Sequence, residues 1–302
     1  MLDLLLAQAH PGDTVVLKPG IYHERLMTHV PGVTILAKGV VLVGSGPRDR
    51  DQNDGLVRLA HPHTRLVGLT VKDAPNSGIV LAADDLTVEG CDVVGARRHG
   101  ISTDTARQTA YPGLVGTMIR RATLLNNRVH GCTLAGNGFG QAISLIADGF
   151  VIRGNQVWGN HDIGIDVWLG ARHGEVAGNR CHENRAAGIY VDGASDVLIH
   201  HNQVWGNKTG IGVSSEDPHY ATRRIQVCDN RISGQQESGC FVWDAPGGVD
   251  GVQDVRFTRN VLTANKVALY LAGVGNTGEW RGNTADGPVV DHSVRSSFRI
   301  EL

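Results

Sequence analysis

The chain has 302 residues, a net charge of -2 at pH 7, 40 glycines and only 5% aromatic residues. It carries no basic run that would support a nucleic-acid partner, and no apolar run approaches the roughly 18 residues of a membrane span. Residues 4–7 are too short for a signal-peptide core and lack a basic leader. Localisation therefore stays open between a secreted or periplasmic protein whose leader was removed and a cytoplasmic one.

The first ten residues are predicted to form a helical cap. Residues 3–9 form an amphipathic helix, with Leu2, Leu5 and Leu6 on one side, that would cover an open strand edge. Two strand runs follow, at residues 11–22 and 31–37, each punctuated by a Pro-Gly turn. Residues 49–87 are less regular.

From about Ser77 the sequence repeats two features at a spacing typical of a coiled solenoid. A Gly-Ile-x-Val segment recurs, mostly every 22 to 29 residues, with its first apolar residue at Ile79, Ile101, Ile143, Ile165, Ile189, Ile211, Cys240 and Leu269. An asparagine follows each second apolar segment, at Asn127, Asn155, Asn179, Asn202, Asn230, Asn260 and Asn283.

Within each repeat the apolar residues alternate with period two, as at Ile165 and Val167, which predicts short strands. Asparagine tolerates the left-handed region and bonds its own backbone, which suits a tight bend between the second and third strands. We therefore predict an all-β fold, a single-stranded right-handed parallel β-helix with three strands per coil. Residues 1–302 would form one domain, with a cap at 1–10, coils at 11–288 and a second cap at 289–302.

The Pro-Gly openings and the coils resemble the right-handed parallel β-helix proteins of the pectin-lyase-like superfamily, over nearly the whole chain. The five cysteines are scattered, which favours small core residues over a disulfide frame. The alternation points Cys181 and Cys240 inward, places Cys91 at an asparagine corner and leaves Cys228 on an outer face.

Acidic and aromatic residues share the outward face of the central first strands. Because parallel strands lie about 4.8 Å apart, Asp166 should lie beside Tyr190 and Trp168 beside Asp192. The two carboxylates would then be diagonal neighbours at roughly 7 to 8 Å. Insertions at residues 104–117, 214–224 and 244–252 would form walls around this floor.

Flat aromatic rings in such a groove can stack on sugar rings, so the expected partner is an extended polysaccharide. Candidate substrate-binding residues are Trp168, Trp243, Asp104, Tyr220 and Arg98.

Two segments resemble those of the mannuronan C5-epimerases, which share this fold. The run Gly164-Ile165-Asp166-Val167-Trp168 is similar to their Gly-Phe-Asp-Pro-His, and residues 188–192 resemble the segment that supplies their second aspartate. The resemblance implies that Asp166 and Asp192 are catalytic. It departs at Ile163, where the family has Tyr, and at Trp168, where it has His.

Epimerases and lyases both remove the C5 proton of a uronate, which requires a neutralised carboxylate and a base within hydrogen-bond reach. Two close acids can keep one of the pair protonated to bind that carboxylate. The further candidates for catalysis are Tyr190, His161 and His173 as bases, with Arg172 to bind a carboxylate or lower a tyrosine pKa.

Two other functions remain open. A carboxylate pair at this separation also suits an inverting glycoside hydrolase. The chain could instead be a non-catalytic carbohydrate-binding or structural β-helix, such as a spike or adhesin module. No cofactor is predicted, although Asp166, Asp192 and Asp104 could supply some ligands of a Ca²⁺ site. The oligomeric state is not predicted.

Overall fold

The computed structural model describes residues 2–45, 55–104, 118–134, 140–217, 219–244 and 251–301. They form an N-terminal unit, residues 1–156, and a C-terminal unit, residues 157–302. Helix α1 (Leu2–Ala7) opens the N-terminal unit and confirms the helical cap. Its buried side consists of Leu2 and Leu6, whereas Leu5 is 42% exposed. Within the described ranges, no helix is long and apolar enough to cross a membrane.

The N-terminal unit contains three sheets of parallel strands, called A, B and C. Sheet A consists of β1 (Thr14–Val16), β4 (Thr34–Leu36), β7 (Arg65–Val67), β10 (Leu86–Glu89), β13 (Ile119–Leu125) and β16 (Ala147–Arg153). Sheet B consists of β2 (Gly20–Tyr22), β5 (Val40–Val43), β8 (Thr70–Lys72), β11 (Asp92–Val94) and β14 (Arg128–His130). Sheet C consists of β3 (Leu26–Met27), β6 (Gly55–Leu59), β9 (Ser77–Leu81), β12 (Ile101–Thr103) and β15 (Gln141–Leu145).

The C-terminal unit repeats the three-sheet arrangement with parallel strands. Its sheet C consists of β18 (Ile163–Trp168), β21 (Ala187–Asp192), β24 (Thr209–Ser215), β27 (Ser238–Asp244), β30 (Val267–Val274) and β33 (Val289–Val294). Sheet A consists of β19 (Arg172–Ala177), β22 (Ser195–His200), β25 (Arg223–Cys228), β28 (Gln253–Thr258), β31 (Thr277–Arg281) and β34 (Ser297–Ile300). Sheet B consists of β17 (Gln156–Trp158), which begins at the unit boundary, β20 (Arg180–His182), β23 (Gln203–Trp205), β26 (Arg231–Ser233), β29 (Val261–Thr263) and β32 (Thr284–Ala285).

Both units are therefore parallel β-helices, as the sequence predicts, with each coil passing from sheet C to sheet A to sheet B. The apolar column of the sequence repeat is the core register of sheet C. Ile165 pairs with Ile189, then Ile211, Cys240 and Leu269 follow in successive strands, and all five side chains are fully buried.

The predicted asparagine column lies at the corner between sheets A and B. The side-chain oxygen of Asn202 accepts hydrogen bonds from the backbone and side-chain nitrogens of Asn179, at 2.8 and 3.0 Å. Its own side-chain nitrogen donates to Asn230 Oδ1 of the next coil at 2.9 Å and to the carbonyl of Val176 at 2.8 Å. The ladder therefore satisfies backbone groups that the turning chain leaves without strand partners.

A second ladder, which the sequence reading missed, lies between sheets B and C. In the C-terminal unit it consists of Asn160, Asn184, Asn207, Gln235 and Asn265, linked from side chain to backbone at 2.9 to 3.3 Å. A residue with positive φ precedes every member, as Gly159 and Glu183 do. Because these residues include Glu183 and Ala264 as well as glycines, they form no visible column in the sequence.

The coils begin at Thr14, within the predicted range of 11–288, and their short strands pair in register although full periodicity of the sequence begins only near Ser77. At the C-terminal end the repeat is longer than predicted. Residues 289–300 form β33 and β34, which continue sheets C and A where a separate cap was expected. This coil is more exposed than those before it and carries polar residues such as Asp291 and His292, so its strands lack the apolar pattern that identifies a strand in the sequence.

The cysteines lie as predicted. Cys181 and Cys240 are fully buried in the core, Cys228 is only partly exposed, and all five thiols are free. Cys91 takes an asparagine position, where its backbone N–H donates to Asn127 Oδ1 at 2.9 Å.

Candidate active site

The candidate site lies on the outer face of sheet C in the C-terminal unit. Strand β18 carries Asp166 and Trp168, and β21 carries Tyr190 and Asp192. Asp166 pairs with Tyr190, and Trp168 pairs with Asp192, which is the register expected from the repeat.

Both carboxyl groups are more buried than the open floor of a groove would be. Asp166 is 3% exposed and Asp192 is 8% exposed. Two residues of the connection between β24 and β25 lie against the end of β21. The Glu216 N–H donates to Asp192, and Tyr220 packs on Gly193, where an added Cβ would lie 2.9 Å from Tyr220 Cβ. This connection matches one of the predicted walls. Residues 105–117 and 245–250 of the other two insertions lie outside the described residues.

Asp166 is buried with an unsatisfied oxygen. Among the described residues, no group forms a hydrogen bond with its Oδ1. Burial raises the pKa of Asp166 well above its usual range, and the nearby carboxylates of Asp192, Glu216 and Asp162 raise it further. The surroundings of Asp166 therefore favour its neutral form, which can donate one hydrogen bond from a carboxyl group.

The pKa of Asp192 lies near neutral pH. Its Oδ1 accepts a hydrogen bond from the backbone N–H of Glu216 at 2.7 Å. Burial raises its pKa to about 7, a rise that this hydrogen bond moderates and the charges of Glu216 and Asp217 increase. Asp192 therefore exchanges a proton at the pH where general bases work best.

Tyr190 is held in its protonated form. Its hydroxyl lies 2.5 Å from Ser214 Oγ and donates to the carboxylate of Glu216, while Ser214 Oγ donates to Glu216 Oε1 at 3.2 Å. Burial raises the pKa of Tyr190 far above its usual value, and the neighbouring charge of Glu216 adds to the rise. The hydroxyl therefore keeps its proton at neutral pH, which disfavours the role of base predicted for Tyr190 from the sequence.

Gly212 makes room for the ring stack behind Tyr190. A Cβ on Gly212 would lie 2.1 Å from Phe241 Cζ, so the Phe241 ring occupies the space that a side chain would fill. The rings of Tyr190 and Phe241 are 5.6 Å apart at an interplanar angle of 30°. Sequence reasoning missed Phe241, Ser214 and Glu216; the glycine within a column of side chains was the available signal.

The other candidates from this half of the chain are dispersed. Trp168 and Trp243 are half-buried on sheet C, and Trp243 pairs with Ser214 of β24. His161 is exposed in the turn before β18. Arg172 and His173 are in β19 of sheet A, where His173 is exposed and is an electrostatic neighbour of Asp196. They belong to a different sheet from the aspartate pair.

Two candidates lie in the N-terminal unit and have partners there. Asp104 is buried and forms an ion pair with Arg58. Arg98 donates a hydrogen bond from Nε to His99 Nε2 at 3.3 Å. In the part of the chain that the structure describes, no three His, Cys, Asp or Glu side chains are grouped to hold a metal ion.

Several solved structures resemble this chain in fold. A variant of the periplasmic alginate epimerase AlgG superposes with a TM-score of 0.61 and 16% identity, over 92% of this chain and 62% of AlgG. The A-module of the Azotobacter vinelandii mannuronan C-5 epimerase AlgE4 gives 0.60 and 17%, over 100% of this chain and 92% of the module. The Dettilon tailspike protein gives 0.61 and 14%, over 95% of this chain and 61% of the tailspike chain. These likenesses establish the shared β-helix fold.

Sequence comparison gives a relative and a family. The uncharacterized protein YwoF of Bacillus subtilis is 27% identical over 306 residues, which include 85% of this chain and 63% of YwoF. The chain thus spans less than two thirds of that relative's length. A family model described as periplasmic copper-binding protein (NosD) matches residues 35–290. Because this match takes in most of the coils, the chain belongs to the NosD family.

Proposed function

We propose that this protein acts on a uronate-containing polysaccharide by abstracting the C5 proton, as a polysaccharide lyase or a C5-epimerase does. The observation that carries the proposal is that three neighbouring side chains on one face of sheet C differ in how tightly they hold a proton. On two paired strands, the pKa of Asp166 is raised well above its usual range, the pKa of Asp192 is raised to about 7, and Tyr190 keeps its proton.

Asp166 would bind the substrate carboxylate. Its carboxyl proton forms a hydrogen bond with that carboxylate, which reduces the negative charge beside C5 and makes the C5 proton more acidic. A second ionised carboxylate in this position would repel the substrate, so the raised pKa of Asp166 is what makes the contact favourable.

Asp192 would be the base and Tyr190 the acid. The Asp192 carboxylate takes the C5 proton and leaves a carbanion stabilised by the neutralised substrate carboxylate. In a lyase the C4–O bond then breaks, a C4–C5 double bond forms, and the Tyr190 proton passes to the leaving oxygen. In an epimerase the Tyr190 proton passes to C5 from the opposite face and no bond to oxygen breaks. In both cases Asp192 releases its proton to water and Tyr190 regains one.

The test is turnover of defined polymers by the wild type and by Asp166→Asn and Asp192→Asn. Alginate, pectate, glycosaminoglycans and a neutral glycan are incubated while unsaturated-uronate absorbance, reducing ends and proton NMR are followed together. Absorbance with new ends indicates a lyase, and an inverted C5 signal without new ends indicates an epimerase. We expect each asparagine variant to lose activity by at least about 10²-fold.

The matched control is Asp196→Asn, which removes a carboxylate of sheet A that pairs with Arg224. It should retain activity. Near-wild-type turnover in both site variants would refute the assignment, and new reducing ends without absorbance would replace it by hydrolysis.

Copper does not enter the proposed reaction. Copper binds imidazole, thiolate and thioether donors. All 14 histidines and 5 cysteines lie within the described ranges, where no three potential ligands are grouped to hold a metal ion. Burial also raises the thiol pKa of Cys91 and Cys132 to about 12, which opposes the thiolate form that a metal requires.

A further inference from the structure

The outer face of sheet B in the C-terminal unit carries a stack of aromatic rings. Trp158, His182 and Trp205 come from the successive strands β17, β20 and β23. The His182 ring lies 4.2 Å from Trp205 and 6.0 Å from Trp158, and the planes are within 9° of parallel. The Arg180 guanidinium lies 5.4 Å from the centre of the Trp205 ring.

This aromatic stack is on the surface, not in the core. All three side chains are half-buried, and Arg180, Gln203 and Arg231 beside them on the same face are exposed. The turns that flank β20 and β23 contain only two to four residues, so they provide no loop to cover the rings. The two indoles therefore expose apolar edges to solvent at a place where packing does not require them.

The arginines of this face differ from those of sheet A. On sheet A, Arg224 pairs with Asp196, and Arg256 contacts Asp254 and Glu279. Among the described residues, Arg180 and Arg231 of sheet B form no ion pair with any carboxylate. Two exposed guanidinium groups thus accompany the aromatic stack in a protein whose net charge is negative.

The register of sheet B places a short side chain beside Trp205 on one side. His182 covers the face toward the preceding coil, while the next coil presents only Ser233 beside Trp205. The short serine side chain leaves space above the indole, and Arg231 lies two residues before Ser233 on the same side of its strand. A flat, apolar ring face next to a free guanidinium is suited to the sugar ring and the carboxylate of one uronate residue.

We propose that this face of sheet B, formed by Trp158, Arg180, His182, Trp205 and Arg231, is a second glycan-binding surface for an acidic polysaccharide. It holds the polymer without reacting with it. The cationic side chains select an anionic chain, and the aromatic stack selects a chain of sugar rings over a simple polyanion. The uronate identity of the ligand rests on the proposed function, whereas the surface itself rests on the stack and the free arginines.

Binding is tested in the Asp192→Asn background, so that the polymer is not consumed. Affinity electrophoresis and calorimetry with polygalacturonate and alginate are compared for the parent, for Arg180→Gln with Arg231→Gln, and for Trp205→Ala. We expect the double arginine variant to bind at least about tenfold more weakly and with a smaller dependence on salt. Trp205→Ala should weaken binding at every salt concentration.

Arg256→Gln is the matched control, since it removes an exposed but paired arginine from sheet A, and it should bind as the parent does. Dextran should bind no variant. Unchanged affinity in the double arginine variant would overturn the proposal, as would sedimentation with anionic phospholipid vesicles in place of glycan binding.

Turnover of short oligomers separates the two proposals. With Asp192 restored, the double arginine variant should turn over a short oligomer as the wild type does and lose efficiency only on long polymer. If no substrate is turned over but polymer binding still depends on Arg180 and Arg231, the surface stands and the proposed reaction fails. Equal loss on short and long substrates would place these arginines in the reaction site and refute a separate surface.

Discussion

At the scale of single residues, the buried carboxyl groups of the site lower the stability of the folded protein when they ionise. A carboxyl group whose pKa is raised by folding binds its proton more tightly in the folded state. The contribution of this group to folding stability is therefore largest at low pH. It is lost as the pH rises from the pKa of the unfolded state to that of the folded state. For Asp192 this window runs from 3.8 to about 7.

We predict that Asp192→Asn stabilises the protein at pH 8 by about 1–3 kcal/mol and much less at pH 4, since each pKa unit corresponds to about 1.4 kcal/mol. Asparagine keeps an oxygen to accept the Glu216 N–H but cannot ionise. Urea unfolding at several pH values measures the difference.

The contrasting control is Asp196→Asn. Arg224 holds the pKa of Asp196 below its usual value, so its ionised form contributes stability above pH 4 and loses it as pH falls. This variant should be less stable than the wild type at pH 8, the opposite sign. A parallel pH dependence in both variants would contradict the assignment of a raised pKa to Asp192.

Tyr190→Phe tests the role of the acid. We expect turnover to fall by about 10²- to 10⁴-fold because the proton donor is lost. The fold should be retained because the ring can still stack on Phe241. Turnover is measured on the polymer identified above, with circular dichroism as the check on folding; turnover near that of the wild type would exclude Tyr190 as the donor.

At the scale of elements, the corner between sheets A and B is a two-residue unit, a residue with positive φ followed by a ladder residue. The pairs His201-Asn202, Asp229-Asn230 and Arg259-Asn260 all follow this rule. Asparagine is conspicuous in a sequence, so the first ladder and the register of every coil with an asparagine could be predicted. The preceding residue varies among Gly, Asn, His, Asp and Arg, and it gave no signal.

The candidate site was predictable only in part for a related reason. Alternation fixes which side chains of a strand point outward, so the Asp166–Tyr190 and Trp168–Asp192 pairs followed from the repeat. Glu216 and Tyr220 come from a connection between strands, where no periodicity relates position in the sequence to position in space. The contacts of that connection with Asp192 and Gly193 were therefore missed. His173 was misplaced because a strand of sheet A begins one residue before it.

Asn202→Ala should destabilise the protein by about 2–4 kcal/mol, because it removes a buried acceptor of two Asn179 nitrogens and the donor to the carbonyl of Val176. Gln203→Ala, one residue later and exposed, is the control and should change stability by less than about 0.5 kcal/mol. Chemical denaturation compares the two, and equal losses would show that the ladder contributes no special stability.

At the scale of the whole molecule, each unit is stabilised by contacts between neighbouring coils, as is typical of a solenoid. The last coil lacks the burial of those before it. Val294 is 57% exposed, and Phe298 and Ile300 remain partly exposed, whereas Ile211 and Val213 are fully buried. Local opening should therefore begin at this coil.

Hydrogen exchange followed by mass spectrometry tests this order. Peptides from residues 289–300 should exchange at least about tenfold faster than peptides from residues 203–215, because fewer contacts hold the terminal strands closed. Equal protection across both ranges would mean that the C-terminal unit opens as one cooperative body.

The seven residues between β24 and β25 contrast with the two residues that join β21 to β22. The longer connection supplies Glu216 and Asp217, whose charges raise the proton affinity of Asp192, while the strand that carries Asp192 keeps the common repeat. The pKa of Asp192 can therefore change through substitutions in this connection while the strands of the scaffold stay the same. Exchange of this one connection between relatives would shift the pH at which Asp192 ionises without moving a single strand.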